Sequence, residues 1–179
     1  AVFKVMTFGD NEVLEKVYEK SKRISASDLL KEIGLMLDDE NSILYQAAKN
    51  NVTIFCPGIA DSAFGFHLFM FQQKNPEFMV DVIQDMKKAT VEIGFDDKKG
   101  LIALGGSISK HYAIFSALLS GGFDYAVYMT TSYPTSGSFS GATTSEAKSW
   151  GKLKDDAQAA TVIGDVTINF PLMMCSALD

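Results

Sequence analysis

A repeated order of short apolar run, polar loop and helix limits the fold of this chain more than any other feature. From residue 52 onward, the apolar runs do not alternate with polar residues, and each ends in a loop rich in Gly, Ser, Thr or Asp. Such runs are typical of parallel strands buried on both faces. The predicted strands are residues 52–56, 101–104, 125–130 and 161–163. The pattern predicts an α/β fold, a doubly wound, Rossmann-like parallel sheet with helices on both faces.

Helical periodicity predicts the elements between and before these strands. Apolar residues at helical spacing, such as Val13, Leu14 and Val17, mark an amphipathic helix over 11–23. A second helix, 29–37, has Ser27 or Asp28 as its expected cap. The other predicted helices are 41–49, 63–73, 77–95, 111–120, 145–154 and 167–178, the last bent at Pro171. With no repeat or linker, residues 1–179 are expected to form one domain.

Composition excludes several classes of function. The 16 basic and 22 acidic residues give a net charge of −6, whereas a nucleic-acid binder needs basic residues to displace counterions from phosphates. No apolar segment approaches the ~20 residues of a membrane span, so a cytoplasmic protein without a membrane partner is expected. Cys56 and Cys175 lie in apolar contexts and indicate buried thiols rather than a disulfide or a metal site.

Four polar loops follow the predicted strands, and in open parallel sheets ligands bind at that end. They are residues 57–62, 105–111, 131–138 and 164–165. Glycine after a strand lets the backbone approach a ligand, and helix N-termini offer N–H groups to phosphate oxygens, so the loops favour a phosphate-bearing cofactor. The alternative is that Gly105 and Gly106 only make a tight turn, since the G-x-G-x-x-G fingerprint is absent.

The only tryptophan, Trp150, lies beside Lys152 in a second unusual segment, residues 141–152. A lysine attacks a carbonyl or iminium carbon when burial lowers its pKa, and an indole wall supplies that desolvation. The alternative is a hydrated surface lysine, since most helical lysines are exposed. Glu146 and Trp150 share a helical face that Lys152 does not, so a joint site requires the helix to break near Gly151.

The two histidines have different interpretations. His111 lies at a predicted helix start, where the positive end of the helix dipole favours a neutral imidazole that can donate or accept; a packing or capping role is the alternative. His67 lies in an apolar helix and is interpreted as structural. No serine has a nucleophile elbow and no triad is apparent, which argues against a serine hydrolase.

Several motifs together identify a resemblance. Residues 149–152, Ser-Trp-Gly-Lys, resemble the active-site lysine segment of deoxyhypusine synthases. The other matching motifs, in the same order, are residues 56–57, 61–65, 104–106, 110–111, 122–128, 164–165 and 170–172. The match runs from about Leu30 to the end, so the chain resembles the C-terminal part of a family member.

The resemblance implies an NAD-dependent aminobutyl transferase. NAD takes hydride from spermidine, diaminopropane leaves, and an enzyme lysine holds the butylimine until it passes to a lysine of the hypusine-bearing translation factor. Lys152 matches the imine-forming lysine. The residues matching amine contacts are His111, Gly137, Ser138, Glu146 and Trp150, and those matching cofactor contacts are Asp61, Gly106, Thr131, Ser132, Asp165 and Val166. No metal is implied.

Two departures qualify these expectations. Phe66, Ser136 and Phe139 stand where the eukaryotic enzymes have acids, and the surrounding residues look more like the archaeal-type branch, so the amine donor stays open between spermidine, agmatine and another diamine. Family chains also continue upstream into further NAD-binding segments. Since the family is tetrameric with active sites at dimer interfaces, another segment or chain, in a homo- or hetero-tetramer, is expected to complete the site.

Two other functions remain open. One is the transfer of the aminobutyl group to a small amine, as homospermidine synthases of the same family do. The chain is also compatible with a non-catalytic subunit that completes a partner's site, with Phe66 and Phe139 filling a vestigial pocket. Such a pocket has no physical need for Lys152, Trp150, Glu146 and His111 together, which favours the enzyme.

Overall fold

A computed structural model describes residues 12–92, 98–133, 135, 141, 143–149, 151 and 153–178; the side chains of Glu92, Glu146 and Ser149 are outside this description. The chain divides into two compact units, Ala1–Lys87 and Lys88–Asp179. The sequence-based division into one domain stays a prediction, and each unit is described by itself.

The first unit is a set of helices around a short parallel sheet. Its elements in chain order are α1 (Glu12–Lys20), β1 (Arg23–Ser25), α2 (Ala26–Met36), α3 (Ile43–Lys49), α4 (Ala63–Lys74), β2 (Met79–Asp81) and the start of α5 (Val82–Glu92). β1 and β2 pair in parallel, with Arg23 opposite Met79 and Ser25 opposite Asp81. The core contains Leu14, Val17, Leu29, Ile33, Phe71 and Phe78. Apolar residues recurring at helical spacing thus supply this core, as the periodicity predicts.

A buried carboxylate joins two helices of this unit. Asp85, on α5, accepts hydrogen bonds from the backbone N–H of Ser27 at 2.9 Å and from its hydroxyl at 2.6 Å. Ser27 lies in the first turn of α2, where backbone N–H groups have no partner within the helix. The side chain of Ser25, not Ser27 or Asp28, caps α2 by accepting from the N–H of Asp28. The cap prediction was therefore displaced by two to three residues.

The second unit contains a three-stranded parallel sheet in the order β3–β4–β5. Its elements are β3 (Gly100–Leu104), α6 (Ser107–Ser116), a 3₁₀ turn (Leu118–Ser120), β4 (Phe123–Thr130), α7 (Thr144–Ser149), β5 (Leu153–Ile163) and α8 (Val166–Leu178). The buried cluster on one face includes Ala103, Ile114, Ala126, Tyr128, Ala147 and Leu153. Helices between parallel strands and a buried central strand confirm the predicted α/β, Rossmann-like class.

Some predicted elements are wrong or have different bounds. Residues 52–56 form no strand, while β1 and β2, with three residues each, were not predicted. The strand predicted at 161–163 begins at Leu153. The helix predicted from residue 111 begins at Ser107, and that predicted from residue 77 begins at Val82, after β2. Helix α8 continues through Pro171.

Within the described ranges, no helix has the length and apolar character that crossing a bilayer requires. The same ranges contain no group of three His, Cys, Asp or Glu side chains arranged to hold a metal ion.

Candidate functional site

Backbone hydrogen bonds join the ends of the three strands of the second unit. The N–H of Gly105, just after β3, donates to the carbonyl of Met129 at 2.7 Å, and the N–H of Gly164, just after β5, donates to the carbonyl of Thr130 at 2.9 Å. Three of the four predicted loops therefore begin side by side. We call this end of the sheet, formed by Gly105, Thr131 and Gly164, the carboxyl edge.

The turn after β3 has the shape of an anion-binding backbone. Gly105 has φ of 84° and Ser107 has φ of 63°. Among the described residues, and apart from the two neighbours of Gly105 in the chain, no atom lies within 4 Å of the position that a Cβ of Gly105 would take. Gly106, the predicted cofactor contact, caps α6 without a side-chain hydrogen bond. The first N–H groups of α6 thus lack a side-chain acceptor at the cap, and they carry the positive end of the helix dipole. This turn can accept a phosphate group.

Thr131 and Ser132, two further predicted cofactor contacts, continue directly from β4. Thr131 is exposed and Ser132 is half-buried. The N–H of Ser132 donates to the hydroxyl of the buried Thr130 at 3.1 Å. This bond bends the chain as β4 ends, and it leaves the side chains of Thr131 and Ser132 at the carboxyl edge as hydroxyl donors and acceptors.

Asp165 places a carboxylate at the third strand end. Its Oδ1 accepts from the N–H of Thr167 at 2.7 Å and from the hydroxyl of Thr167 at 2.6 Å. These bonds favour the ionised form and hold the pKa of Asp165 below its usual range. Within the described residues, Oδ2 accepts no hydrogen bond, so it can accept one from a ligand hydroxyl. Val166, the first residue of α8, follows Asp165 and is half-buried.

Asp61 lies in the first unit, in the turn before α4. The turn is held tightly, since the hydroxyl of Ser62 donates to the carbonyl of Ile59 at 2.6 Å and accepts from the N–H of Gly65 at 2.9 Å. A Cβ on Gly65 would lie 2.3 Å from the carbonyl oxygen of Ala60, so only glycine allows α4 to pack this closely on the turn. The exposed side chain of Asp61 is thereby presented on a fixed backbone.

His111 lies on the second turn of α6 rather than at a helix start. The prediction of its place was wrong because α6 begins at Ser107, after the two glycines. The imidazole is exposed and stacks on Phe115, with ring centroids 5.9 Å apart and an interplanar angle of 13°. Stacking restricts the ring while leaving it accessible from the surface. His67 is buried, as a structural role requires.

The helix before Lys152 breaks where a joint site requires it. Helix α7 ends at Ser149, the N–H of Gly151 donates to the carbonyl of Lys148 at 3.0 Å, and Gly151 has φ of 67°. The break near Gly151 is therefore confirmed. Lys152, Trp150, Gly137 and Ser138 lie outside the described residues, as does the side chain of Glu146.

The strand register locates the chain next to Lys152. Leu153 pairs with Phe123, the first residue of β4, whereas Ile163 pairs with Thr130, seven positions further along. Seven residues of strand span about 23 Å. Leu153 therefore lies at the end of the sheet opposite the carboxyl edge. Sequence spacing alone gave no sign of this separation.

Comparison with known proteins decides the family. A family model described as deoxyhypusine synthase matches residues 7–177. The chain belongs to the deoxyhypusine synthase family. Among its curated relatives, a probable deoxyhypusine synthase from Thermoplasma acidophilum is 43% identical over 168 residues, covering 93% of this chain and 54% of the relative. One from Methanothermobacter thermautotrophicus is 38% identical over 176 residues, covering 98% of this chain and 57% of the relative.

A solved structure agrees with this family assignment. The crystal structure named "putative deoxyhypusine synthase" from Entamoeba histolytica matches with a TM-score of 0.68 and 27% identity, covering 91% of this chain and 50% of that one. The chain thus has the deoxyhypusine synthase fold over its matched part, and it spans about half the length of the family members it matches.

Residues 110–111 were part of the matching motifs, but the burial of the first of them had no signal in the sequence. Lys110 is almost completely buried beside the exposed His111. A lysine in the first turns of an amphipathic helix is usually exposed, so its burial depends on the packing of α6 on β4. The burial of Lys110 depends on which residues of α6 face the sheet, and helical periodicity does not give that.

Proposed function

We propose that the chain belongs to an enzyme that transfers a 4-aminobutyl group from spermidine, or a related amine, to a lysine of the hypusine-bearing translation factor, with NAD as cofactor. Family membership and the geometry of the carboxyl edge support this proposal. The reaction is placed in the cytoplasm, where the acceptor protein works.

The residues of the carboxyl edge fit a dinucleotide. The turn at Gly105 and Gly106 leaves room for a phosphate against backbone N–H groups, and this open space is the observation that carries the proposal. The ionised Asp165 is suited to accept a hydrogen bond from a ribose hydroxyl, while Thr131 and Ser132 offer hydroxyls nearby. When bound, NAD supplies a hydride acceptor that later returns the hydride. Asp61 is proposed as a further cofactor contact from the first unit.

Lys152 is proposed to carry the aminobutyl group as an imine. Its amine must be unprotonated to attack, and Trp150 and Glu146 are proposed to line the amine channel around it. Gly137 and Ser138 are proposed at the same channel. His111, exposed and stacked on Phe115, is proposed to contact the amine substrate from α6.

The separation of about 23 Å along β4 supports a site shared between chains. We propose that Lys152 of one chain acts beside the carboxyl edge of another, within a homo- or hetero-tetramer. The upstream segment of the family, carried on this polypeptide or on another, is proposed to supply the remaining cofactor contacts.

Reductive trapping tests the function. Borohydride added in the presence of NAD and spermidine should attach one reduced aminobutyl group to Lys152, detected by peptide mass spectrometry. The Lys152→Ala chain should carry none, and Lys148, whose amine donates to the carbonyl of Asp155 at 3.0 Å, should stay unmodified. Absence of label at Lys152 in an assembly that binds NAD would show that imine chemistry there is wrong.

A further inference from the structure

Lys110 makes a buried contact directly beneath the turn that follows β3. The residue is 5% exposed, and its Nζ lies 4.0 Å from the centroid of the Tyr128 ring. Tyr128 is 1% exposed and belongs to β4, the middle strand of the three. An ammonium group over an aromatic face is attracted by the ring quadrupole, and more strongly where water is excluded. The contact therefore ties the start of α6 to the centre of the sheet.

The turn between β3 and α6 is held to β4 on both sides. Before the turn, the N–H of Gly105 donates to the carbonyl of Met129; after it, Lys110 covers the ring of Tyr128. Met129 and Tyr128 are consecutive residues. The two ends of the segment from Gly105 to Lys110 thus contact two consecutive residues of β4.

Ser107, inside this segment, has a strained backbone. Its φ of 63° lies in the left-handed region, which a residue with a Cβ adopts at a cost. Such a conformation persists only where the surrounding structure holds it. Two attachments to β4 flank Ser107, and of these the one made by Lys110 depends on a side chain of α6. A local bond, from the hydroxyl of Ser109 to the carbonyl of Gly106 at 3.2 Å, lies within the turn itself.

We propose that Lys110 is a positioning residue for the proposed cofactor: through the ring of Tyr128 it holds the turn at Gly105, Gly106 and Ser107 in the shape that receives a phosphate. The identity of the ligand, NAD, rests on the proposed function. The ordering of the turn by Lys110 does not. Lys110 acts through Ser107 and the N–H groups of α6, without touching the cofactor.

The ring of Tyr128, rather than its hydroxyl, carries the contact. Within the described residues, the buried hydroxyl of Tyr128 has no hydrogen-bond partner, and an unsatisfied buried hydroxyl is unfavourable. A phenylalanine keeps the face that attracts Lys110 and removes the unsatisfied group. Tyr128→Phe and Tyr128→Leu therefore separate the ring from the hydroxyl.

The first measurement is the dissociation constant for NAD, by titration calorimetry on the chain assembled with the upstream segment of the family. Lys110→Met and Tyr128→Leu should each weaken binding about tenfold or more, and the double variant should be no weaker than either single one because both changes remove one contact. Tyr128→Phe should stay within about threefold of the unmodified chain. Lys98→Met, which removes an exposed positive charge elsewhere in this unit, is the control for a general loss of charge.

The decisive variant adds Ser107→Gly to Lys110→Met. Glycine adopts the left-handed conformation without the cost that serine bears, so the turn should return to its shape and NAD affinity should recover most of the loss. A purely structural role of Lys110 in the core, or a direct attraction between its charge and the cofactor, would not be rescued by a change at Ser107. No recovery in a folded double variant overturns the proposal.

Amide hydrogen exchange without NAD provides a readout that does not depend on the proposed function. The N–H of Gly105, which is bonded to Met129, and those of residues 111–113, which bond to the carbonyls of the first turn of α6, should exchange faster in Lys110→Met, and near the original rate when Ser107→Gly is added. If Lys110→Met does not fold, Lys110→Gln carries the same comparison. Unchanged exchange in a folded Lys110 variant overturns the positioning role. Should the unmodified chain, assembled with the upstream segment of the family, bind no NAD, the proposed function fails, and exchange still decides whether Lys110 orders the turn.

Discussion

Leu153 pairs with Phe123 at the start of β4, so the residue after Lys152 lies at the opposite end of the sheet from Thr130 and the carboxyl edge. The register is irregular just beyond this pair, since Tyr125 is opposite Gln158 and β5 contains extra residues there. The irregularity lengthens β5 but leaves its two ends at opposite edges. Leu153 and Gly164, at the two ends of β5, are therefore held at opposite edges of one sheet.

Mixing two inactive chains should restore activity if the site is shared. Lys152→Ala and Asp165→Ala should each abolish transfer alone, because one lacks the proposed nucleophile and the other a cofactor contact. A dimer of one Lys152→Ala chain and one Asp165→Ala chain contains two shared sites. One of these sites carries both substitutions, and the other carries neither. Random equal mixing should therefore return roughly a quarter of the original activity, measured as aminobutyl transfer from labelled spermidine.

The control for mixing is a pair of variants at the same position. Lys152→Ala mixed with Lys152→Met should stay inactive, because no intact site forms. If the first mixture also stays inactive although mixed oligomers are seen by native mass spectrometry, Lys152 works with the carboxyl edge of its own chain.

Asp165 should make the start of α8 sensitive to acid. Its pKa is depressed in the folded chain by hydrogen bonds from Thr167, so this contribution is fully present above the unfolded value near 3.9 and is lost as pH falls through the lower folded value. The amides of Thr167 and Ile168 should lose protection in that window, as measured by hydrogen exchange or NMR.

Asp165→Asn is the matched control for this pH dependence. An asparagine oxygen can still accept from Thr167, but it does not titrate, so the acid-dependent loss of protection should disappear. Persistence of the same loss in Asp165→Asn would assign it to another group.

The sequence predicted the second unit better than the first, for physical reasons. β3, and β4 from Tyr125 onward, are apolar runs that end in glycine or hydroxyl residues, and this combination is typical of buried parallel strands that lead into a loop. Residues 52–56 have the same composition, yet they form no strand, because pairing with a neighbour is a tertiary property that local pattern does not contain. β1 and β2, with three residues each, are too short for periodicity to register.

The loops of the candidate site were predictable from the sequence, but the burial of its residues and the distances between them were not. Glycine after a strand identified the turn at Gly105 and Gly106, and the α7 break at Gly151 followed from helical angles. The burial of Lys110 and the distance between the two ends of β5 depend on which residues face each other across elements. Those relationships depend on how the helices and strands align with one another, and no sequence motif in this chain specifies that alignment.

Asp85 should be important for the stability of the first unit. Asp85→Ala removes two hydrogen bonds from Ser27 and the link between α5 and α2. Hydrogen bonds to charged groups contribute about 1.5–3 kcal/mol each, so the loss of two should lower the free energy of unfolding by about 3–6 kcal/mol. Urea denaturation measures it. Asp38→Ala, at an exposed carboxylate, should change stability by less than about 0.5 kcal/mol, and an equal effect of both would contradict the role of Asp85.

A substitution at Gly65 tests whether the turn that carries Asp61 depends on close packing against α4. A Cβ at Gly65 would lie 2.3 Å from the oxygen of Ala60 and 2.5 Å from that of Ile59, so Gly65→Ala must push the turn away from α4. Overpacking of this kind costs about 1–3 kcal/mol, seen as a lower midpoint in urea. Gly100→Ala is the matched control, because the nearest atom to its Cβ is the Cβ of Tyr125 at 3.9 Å.

If Asp61 contacts NAD, Gly65→Ala should also weaken NAD binding by more than Gly100→Ala does, since it moves the backbone that carries the carboxylate. Equal effects of the two alanines on stability would show that the Asp61 turn does not depend on close packing at Gly65.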